Sequence, residues 1–238
     1  MKTVSNVLSE RFEVAFNKIQ DSMERLLKTS KSFTELVRIG SKHHKIIKEF
    51  SDDLLQFARL RNAIVHDKIE IGYYIAEPHE EVVERIEKIA DLLSQPSNAL
   101  SIATKKVIYY FSDDPLLNVI QGMKYHNHSQ YPIYNQDRCI GLLKSSTIVK
   151  WLADHLDDYS FQLEKVKVSD VFAYEKDHPI IFIPKSYNIF DVEEVYEQFH
   201  HKKKDLEMAI ITENGRPDEV PLGIITAWDL IAIDYTTD

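Results

Sequence analysis

The stretch GIITAWDL, residues 223–230, reads as a short buried strand that runs directly into a helix. Thr226 stands at the junction, and Asp229 follows three residues later in the first helical turn. A hydroxyl and a carboxylate at this spacing form a capping box, which satisfies free backbone N–H groups. The same groups can also hold a ligand, because a carboxylate accepts hydrogen bonds from a diol and free amides face a phosphate. The spacing alone favours the capping box.

An internal repeat extends outward from this stretch. YPIYNQDRCIGLLKSSTIVKWL, residues 131–152, and MAIITENGRPDEVPLGIITAWDLIAI, residues 208–233, share the order strand, turn, strand, helix. Gly141 and Gly223 anchor the two copies, and the second hairpin turn is the longer one. Short β-rich runs, of which KVIYYF at residues 106–111 is the first, alternate with helical segments from residue 101 onward, which predicts a mixed α/β architecture.

On these motifs, residues 101–238 resemble a tandem pair of cystathionine β-synthase (CBS) domains, often called a Bateman module. The resemblance rests on the repeated element order, on SQYPIY in the first copy and on GIITAWDL in the second. It implies two CBS domains, at 101–160 and 165–238, that bind an adenine nucleotide such as AMP, ADP or ATP. The matching Thr and Asp of that family commonly hold phosphate and ribose, so the resemblance implies these roles for Thr226 and Asp229.

The two copies differ at the positions that would touch the nucleotide. GLLKSSTI places Lys144 where the Thr is expected and Thr147 where the Asp is expected. A hydroxyl is a poor substitute for a carboxylate on a ribose diol, so the resemblance implies one site per chain, on the second copy. There, Ala209 marks where the adenine is expected, and Trp228 is expected to stack or pack beside the site. Lys144 is either a solvated lysine or a cation for a phosphate bound across the repeat.

Residues 1–95 carry a helical pattern and end at SQPSNALS, residues 94–101, which reads as a linker. Ser32 with Glu35 predicts a capping box at the start of a second helix. SDD at 51–53 and Pro78 predict the starts of a third and a fourth, whereas IGYYIAE at 71–77 reads as extended or irregular. The expected fold is α+β: an all-α four-helix domain followed by the α/β pair. Apolar residues recur at steps of three and four along the first helix: Val4, Leu8, Phe12, Ala15, Ile19, Met23 and Leu26.

LRNAIVHD, residues 60–67, resembles the signature of the HEPN superfamily (higher eukaryotes and prokaryotes nucleotide-binding). Its members are four-helix domains, and many are metal-independent ribonucleases. The motif is Arg, four to six residues, then His, so Arg61 and Arg59 both fit with His66, and Asn62 is the polar residue that often follows the Arg. The resemblance implies His66 as the acid/base on a 2′-hydroxyl, an arginine on the scissile phosphate, and a site shared by two chains.

A helical wheel divides this motif between two faces. Arg61 falls on the apolar side, while Arg59, Asn62 and His66 share the opposite stripe. Arg61 is therefore either a structural residue that ties helices together or an interface residue beside a shared cleft. Metal-free cleavage of a mixed RNA pool by wild type and His66→Ala tests the ribonuclease, and equal or absent activity rules it out. At about 100° per residue, the apolar side consists of Leu54, Phe57, Leu60, Ile64 and Val65.

Composition narrows the classes of function. The 238 residues are 44% hydrophobic and carry a net charge of −9. Residues 101–238 account for −8 of it, with 14 Lys and Arg against 22 Asp and Glu. This balance argues against DNA and disfavours RNA as a partner. KHHK, YHNH and FHHKKK lack the spacing of zinc ligands, so no metal is expected.

The chain is expected to be cytoplasmic, without membrane contact. No run of about 18 apolar residues occurs, and charged residues interrupt the N-terminal MKTVSNVLSERFEVAF, so it is not a secretory signal. The single cysteine, Cys139, cannot form an internal disulfide.

Three hypotheses follow from these patterns. The first is a regulatory homodimer in which a CBS pair senses an adenosine-containing small molecule and biases a HEPN-like helical domain. The second is an enzyme, a ligand-gated metal-independent ribonuclease. The third is an adaptor with a degenerate pocket. The sequence favours the non-enzymatic sensor over the ribonuclease.

Overall fold

The computed structural model describes residues 6–66, 77–156, 162–176 and 179–235 of the chain. The chain divides into two compact units, residues 1–97 with 234–238, and residues 98–233. None of the helices in the described ranges is long and apolar enough to cross a bilayer.

The first unit is helical. Its helices are α1 (Asn6–Leu27), α2 (Phe33–His43), α3 (Lys45–Glu49), α4 (Ser51–His66) and α5 (Glu80–Ser94). The four predicted helices are present, whereas the short α3 was not predicted, because a single turn shows no periodicity. His44 separates α2 from α3 with an extended backbone, at φ −123° and ψ 121°. IGYYIAE lies almost wholly outside the described residues, which resume at Glu77.

An aromatic core holds these helices together. Helix α1 packs against α2, α4 and α5, and its predicted apolar face is buried at Phe12, Ala15, Ile19 and Met23. The Phe12 ring meets Phe57 of α4 edge to face, with ring centroids 6.0 Å apart. On the outside, the Arg11 guanidinium donates to both oxygens of the Glu87 carboxylate, at 2.9 and 2.7 Å, and so joins α1 to α5.

The capping box predicted at the start of α2 forms. The Glu35 carboxylate accepts hydrogen bonds from the Ser32 hydroxyl and from the Ser32 backbone N–H, at 2.9 and 3.4 Å. These bonds lower the pKa of Glu35, with the hydroxyl bond as the larger cause. The carboxylate is therefore ionised at neutral pH, as a cap at the positive end of α2 requires.

The second unit contains two three-stranded sheets of the same topology. In each, the middle strand is parallel to the first strand and antiparallel to the third. The first copy, residues 110–155, consists of β1 (Tyr110–Phe111), α7 (Leu116–His126), β2 (Gln130–Asn135), β3 (Arg138–Lys144) and α8 (Ser145–His155). The second copy, residues 180–232, consists of β4 (Ile180–Pro184), α10 (Ile189–His201), β5 (Met208–Thr212), β6 (Gly223–Ile225) and α11 (Ala227–Ala232).

The predicted repeat is confirmed at the level of strand register. Ile133 pairs with Gly141 in the first sheet, and Ile211 pairs with Gly223 in the second. The two glycines are needed for different reasons. Gly141 has φ +148°, a conformation that disfavours a side chain, whereas a Cβ on Gly223 would lie 3.0 Å from the Cβ of Ala103.

Each copy is tied to the segment that precedes the other. Helix α6 (Ala99–Ile102) leads into the first copy, but the Ala99 N–H donates to Tyr187 O of the second copy, at 2.9 Å. Helix α9 (Val168–Phe172), which follows a 3₁₀ turn at Leu163–Lys165, leads into the second copy. The Val168 N–H donates to Asp114 O of the first copy, also at 2.9 Å. The two copies therefore exchange their leading helices and form one compact unit.

One predicted strand is shorter than expected. KVIYYF suggested a strand over residues 106–111, but β1 covers only Tyr110–Phe111. The preceding segment turns to the other sheet, where Thr104 forms an antiparallel bridge with Ile224. A β-rich run indicates extended backbone without saying which sheet will accept it.

The two sheets pack against each other through a small apolar cluster. Tyr134, Cys139 and Leu142 of the first copy meet Met208 and Ile210 of the second. Burial raises the pKa of the Cys139 thiol to about 11, so it stays protonated and unreactive at neutral pH.

Candidate functional site: the strand–helix junctions of the second unit

The second junction, residues 226–229, connects β6 to α11 and carries the two predicted ligand residues. Thr226 is the N-cap of α11, and its backbone N–H and hydroxyl both donate to Asp229 Oδ2, at 2.6 and 2.8 Å. This is the capping box that the spacing predicted. Both side chains remain partly exposed. Among the described residues, Asp229 Oδ1 has no hydrogen-bond donor, so this oxygen is available to a ligand.

A partly buried tyrosine holds the end of β6 next to this junction. The Tyr196 hydroxyl of α10 donates to Ile225 O at 2.7 Å, directly before Thr226. Burial raises the pKa of Tyr196, and the carboxylates of Asp229 and Glu207 raise it further. Tyr196 therefore remains a neutral donor and fixes the end of β6. Both carboxylates lie close enough to act on it electrostatically.

Lys144 reaches from the first copy to the second. Its ammonium lies 3.0 Å from Glu207 Oε1, at the residue before β5. Because β5 pairs with β6, with Ala209 opposite Ile225, Glu207 stands at the same end of the second sheet as Thr226. Lys144 is thus paired with a carboxylate across the repeat instead of being a solvated lysine, and only about a fifth of its side chain is exposed.

The first junction, residues 144–147, is closed by a carboxylate from elsewhere in the chain. The Thr147 hydroxyl donates to Glu175 Oε2, and Glu175 Oε1 lies 3.9 Å from the Lys144 ammonium. The Glu175 side chain is only 8% exposed. A carboxylate therefore stands at both junctions, but Asp229 belongs to its own helix, whereas Glu175 follows α9. Sequence reasoning missed Glu175, since no local motif marks it.

The other two predicted contact residues lie in different environments. Trp228 is 78% exposed on α11, so it does not pack in the core of this chain. Ala209 is fully buried in the cluster between the second sheet and α10. The structure thus leaves the Trp228 side chain accessible, while the Ala209 side chain faces the core.

The helical wheel of α4 agrees with the structure at the residues whose side chains are described. Leu54, Phe57 and Ile64 are buried, and Arg61 lies on the same side, half-buried, with its guanidinium carbon 5.9 Å from the centre of the Phe16 ring. Arg59 and Asn62 are exposed on the other side. The side chains of Val65 and His66 lie outside what the structure describes.

This division bears on the ribonuclease hypothesis. A cation over an aromatic face is a packing contact, and it accounts for Arg61 without a substrate. The hypothesis that Arg59, Arg61, Asn62 and His66 form a catalytic site therefore stays a prediction. In the described part of the chain, no group of three or more His, Cys, Asp or Glu side chains converges as metal ligands.

Comparison with known proteins addresses the second unit. Residues 99–154 match the family model of the CBS domain, whereas no curated protein matches the chain. The CBS domain of the bacterial CNNM/CorC family Mg²⁺ transporter, solved in complex with ATP, is 22% identical and covers 65% of this chain and 95% of its own, with a TM-score of 0.41. The CBS domain of a membrane protein from Sphaerobacter thermophilus is 18% identical, with coverages of 63% and 96% and a TM-score of 0.43. The family match identifies residues 99–154 of this chain as a CBS domain.

Proposed function

We propose that residues 98–233 form a tandem CBS pair that binds one adenine nucleotide per chain at the second junction and regulates the helical unit. One observation carries this proposal: Asp229 uses only Oδ2 to cap α11, while Oδ1 accepts no hydrogen bond from any residue that the structure describes, at a partly exposed junction. The second copy also repeats the topology of the CBS domain at residues 99–154.

The chemistry of the junction suits a nucleoside phosphate. Asp229 Oδ1 accepts a hydrogen bond from a ribose hydroxyl, a charge-assisted bond that is stronger than a neutral one. The Thr226 hydroxyl donates to Asp229 in the free chain, so it must rotate to donate to a phosphate. Lys144 supplies a cation across the repeat, for which it exchanges Glu207 for the phosphate.

Calorimetric titration of the full chain with AMP, ADP and ATP tests the proposal. We expect saturable binding of at least one of them, with a stoichiometry of one per chain. If none of the three binds at millimolar concentration, the proposal is wrong. The CNNM/CorC structure was solved with ATP, so ATP is the first nucleotide to titrate.

We attribute the restriction to one nucleotide site per chain to Glu175. At the first junction its carboxylate already accepts a hydrogen bond from the Thr147 hydroxyl and forms an ion pair with the Lys144 ammonium. We expect Glu175→Ala to add a second nucleotide site, weaker by about tenfold or more because no carboxylate remains there for the ribose. Calorimetric stoichiometry measures this change.

The matched control is Glu213→Ala, which removes a glutamate from the exposed ion pair with Lys185. This variant should keep one site. Two sites in the wild type, or one site in Glu175→Ala, would contradict the role given to Glu175 without touching the second junction.

A homodimer is proposed from the apolar side of α11. Trp228 and Ile231, one turn apart, are 78% and 63% exposed, and Val149 of α8, at the position that matches Ile231, is also 63% exposed. Exposed apolar side chains one turn apart on a helix, as Trp228 and Ile231 are, are typical of interaction surfaces. We also propose a cytoplasmic location, because a single free cysteine is typical of a reducing compartment.

We expect Trp228→Ser with Ile231→Ser to weaken dimerisation by about tenfold or more, since buried tryptophans dominate interface energies. Sedimentation across a range of concentrations measures the shift. Tyr125→Ser, at a side chain that is 84% exposed on α7, is the control and should leave the dimer intact. A monomeric wild type would disprove the dimer.

The nucleotide can act on the helical unit only in so far as it binds one arrangement of the dimer more tightly than another. Nucleotide affinity of the wild type, measured at protein concentrations where the dimer predominates and where the monomer predominates, gives this difference. Equal affinities would show that assembly and nucleotide binding are not coupled.

A further inference from the structure

A cavity of about 240 Å³ opens at the hairpin end of the first copy, away from both junctions. Three aromatic residues line one side, namely Tyr109, Phe111 and Tyr134. The β2–β3 turn and residues 218–221 of the β5–β6 loop line the other. The Cys139 N–H donates to Pro217 O at 2.9 Å, which holds this loop against the first copy.

The aromatic side is built by strand alternation. Tyr109, which directly precedes the edge strand β1, and Phe111 share one face, while Tyr110 between them packs inward against Tyr131. The Tyr109 ring lies 4.7 Å from Tyr134 and 5.7 Å from Phe111, between ring centroids. Tyr134 is buried and forms the floor, whereas Tyr109 and Phe111 are 38% and 43% exposed. Two large rings thus remain partly open to solvent around one buried ring.

The fold itself does not require this aromatic group. Strand register matches Tyr109, Phe111 and Tyr134 with Phe182, Pro184 and Thr212 in the second copy. At those positions the β5–β6 loop folds back onto the sheet. Asn214 forms a bridge with Pro184, and the Arg216 N–H donates to the Thr212 hydroxyl at 2.9 Å.

Loop length explains the difference between the copies. The turn between β2 and β3 consists of Gln136 and Asp137 alone, so it is too short to fold back over the first sheet. The aromatic group in the first copy therefore stays uncovered, and the cavity remains accessible.

The other side of the cavity is acidic. Within the described residues, the carboxylates of Asp137 and Asp218 form no ion pair or hydrogen bond. Glu219 accepts hydrogen bonds from the side chain and backbone N–H of Asn214, which lower its pKa to about 2, so it is ionised. It also forms an ion pair with Arg216 at 3.3 Å, so the uncompensated negative charge at the cavity comes from Asp137 and Asp218. The surrounding residues 101–238 carry a net charge of −8. An anion or a neutral apolar molecule would gain little here from the surrounding charge.

We propose that this cavity is a second ligand site, which binds a small organic cation of the alkylammonium class. A cation over the faces of several aromatic rings is attracted by their quadrupoles, and nearby carboxylates add to the attraction. The volume falls below the range of about 300–1,000 Å³ that holds drug-sized ligands, so it suits a compact headgroup. The site is separate from the nucleotide site and does not depend on it.

Choline and 3,3-dimethyl-1-butanol provide a matched pair of probes, because they share one shape and differ in the charge of a single atom. We expect choline to bind the full chain at millimolar concentration and to shift the ring resonances of Tyr109 in an NMR titration. The neutral alcohol should bind about threefold to tenfold more weakly. High salt should weaken choline binding, because the carboxylates are near the surface.

Two sets of variants test the aromatic side and the acidic side of the cavity separately. Tyr109→Leu and the pair Asp137→Asn with Asp218→Asn should each weaken choline binding by about threefold or more. Tyr125→Leu and Asp154→Asn, at exposed positions outside the cavity, should not change it. The paired carboxamide variant lies in exposed turns and remains informative if Tyr109→Leu disturbs folding.

Equal binding of choline and the neutral alcohol would overturn the proposal. No binding of choline at millimolar concentration, or binding that the cavity variants leave unchanged, would overturn it as well. None of these outcomes affects the nucleotide titrations.

Discussion

Asp229→Ala is expected to lower nucleotide affinity by about tenfold to a hundredfold, because a hydrogen bond to a charged group contributes about 1.5–3 kcal/mol. The reason lies in the two oxygens of the carboxylate. Oδ2 accepts both bonds of the capping box, so Oδ1 alone is left for a ribose hydroxyl. Calorimetric titration of the variant with ATP, ADP and AMP measures the loss.

The same substitution also removes a helix cap, which costs about 0.5–2 kcal/mol of stability. Asp191→Ala separates the two effects. The Asp191 carboxylate accepts a hydrogen bond from the Asn188 N–H at 2.9 Å, and so caps α10 in the same unit. This control should lose similar stability and keep full affinity.

Asp229→Asn refines the test, because the amide retains an acceptor oxygen but loses the charge. Its affinity should fall between those of wild type and Asp229→Ala. If Asp229→Ala binds nucleotides as tightly as wild type, Asp229 is only a cap and the proposed function fails at this site.

Phe12→Ala is expected to destabilise the helical unit by about 3–5 kcal/mol, the usual cost of truncating a buried aromatic side chain. Phe12 is fully buried, and its ring meets those of Phe16 and Phe57, with centroids 6.4 and 6.0 Å apart. The cavity left by truncation faces α4, so the loss should weaken the packing of α1 on the rest of the unit.

Two spectroscopic signals distinguish the units in this experiment. Both tryptophans, Trp151 and Trp228, belong to the second unit, whereas circular dichroism follows the helices of both. Chemical denaturation of Phe12→Ala should move the dichroism transition to lower denaturant and leave the fluorescence transition in place.

Val14→Ala, on the same helix at a side chain that is 67% exposed, is the control and should change stability by less than about 0.5 kcal/mol. A similar small change for Phe12→Ala would mean that the aromatic core does not hold the helical unit together.

Local patterns in the sequence were sufficient to predict most of the helices and strands. The steps of three and four from Phe12 to Met23 predicted the buried face of α1, and Ser32 with Glu35 predicted the start of α2. The repeat around Gly141 and Gly223 predicted the two hairpins. In the helices the interaction joins residues a few positions apart, so the backbone geometry of one element determines it. Each hairpin joins two strands that follow one another in the chain. The wheel of α4, which placed Arg61 opposite Arg59 and Asn62, is of the same kind.

Features that join distant segments could not be predicted in this way. Thr104 forms a bridge with Ile224 of the second sheet, and only Tyr110–Phe111 of the run 106–111 pairs in the first sheet. Glu175 reaches Thr147 across 28 positions, and no local pattern connects them. The β5–β6 loop covers the second sheet and lines one side of the cavity at the first copy. Its sequence indicates only a long turn.

The sequence alone determined the helices, the repeated hairpins and the pair of Thr226 and Asp229, because each follows from periodicity or from spacing within one turn. Only the tertiary structure decided that Asp229 Oδ1 has no donor within the described ranges, that Glu175 closes the first junction, and that Tyr109, Phe111 and Tyr134 line one side of a cavity. These three outcomes depend on which segments pack together, and that choice is made by the summed packing of the whole unit rather than by any single stretch of the chain.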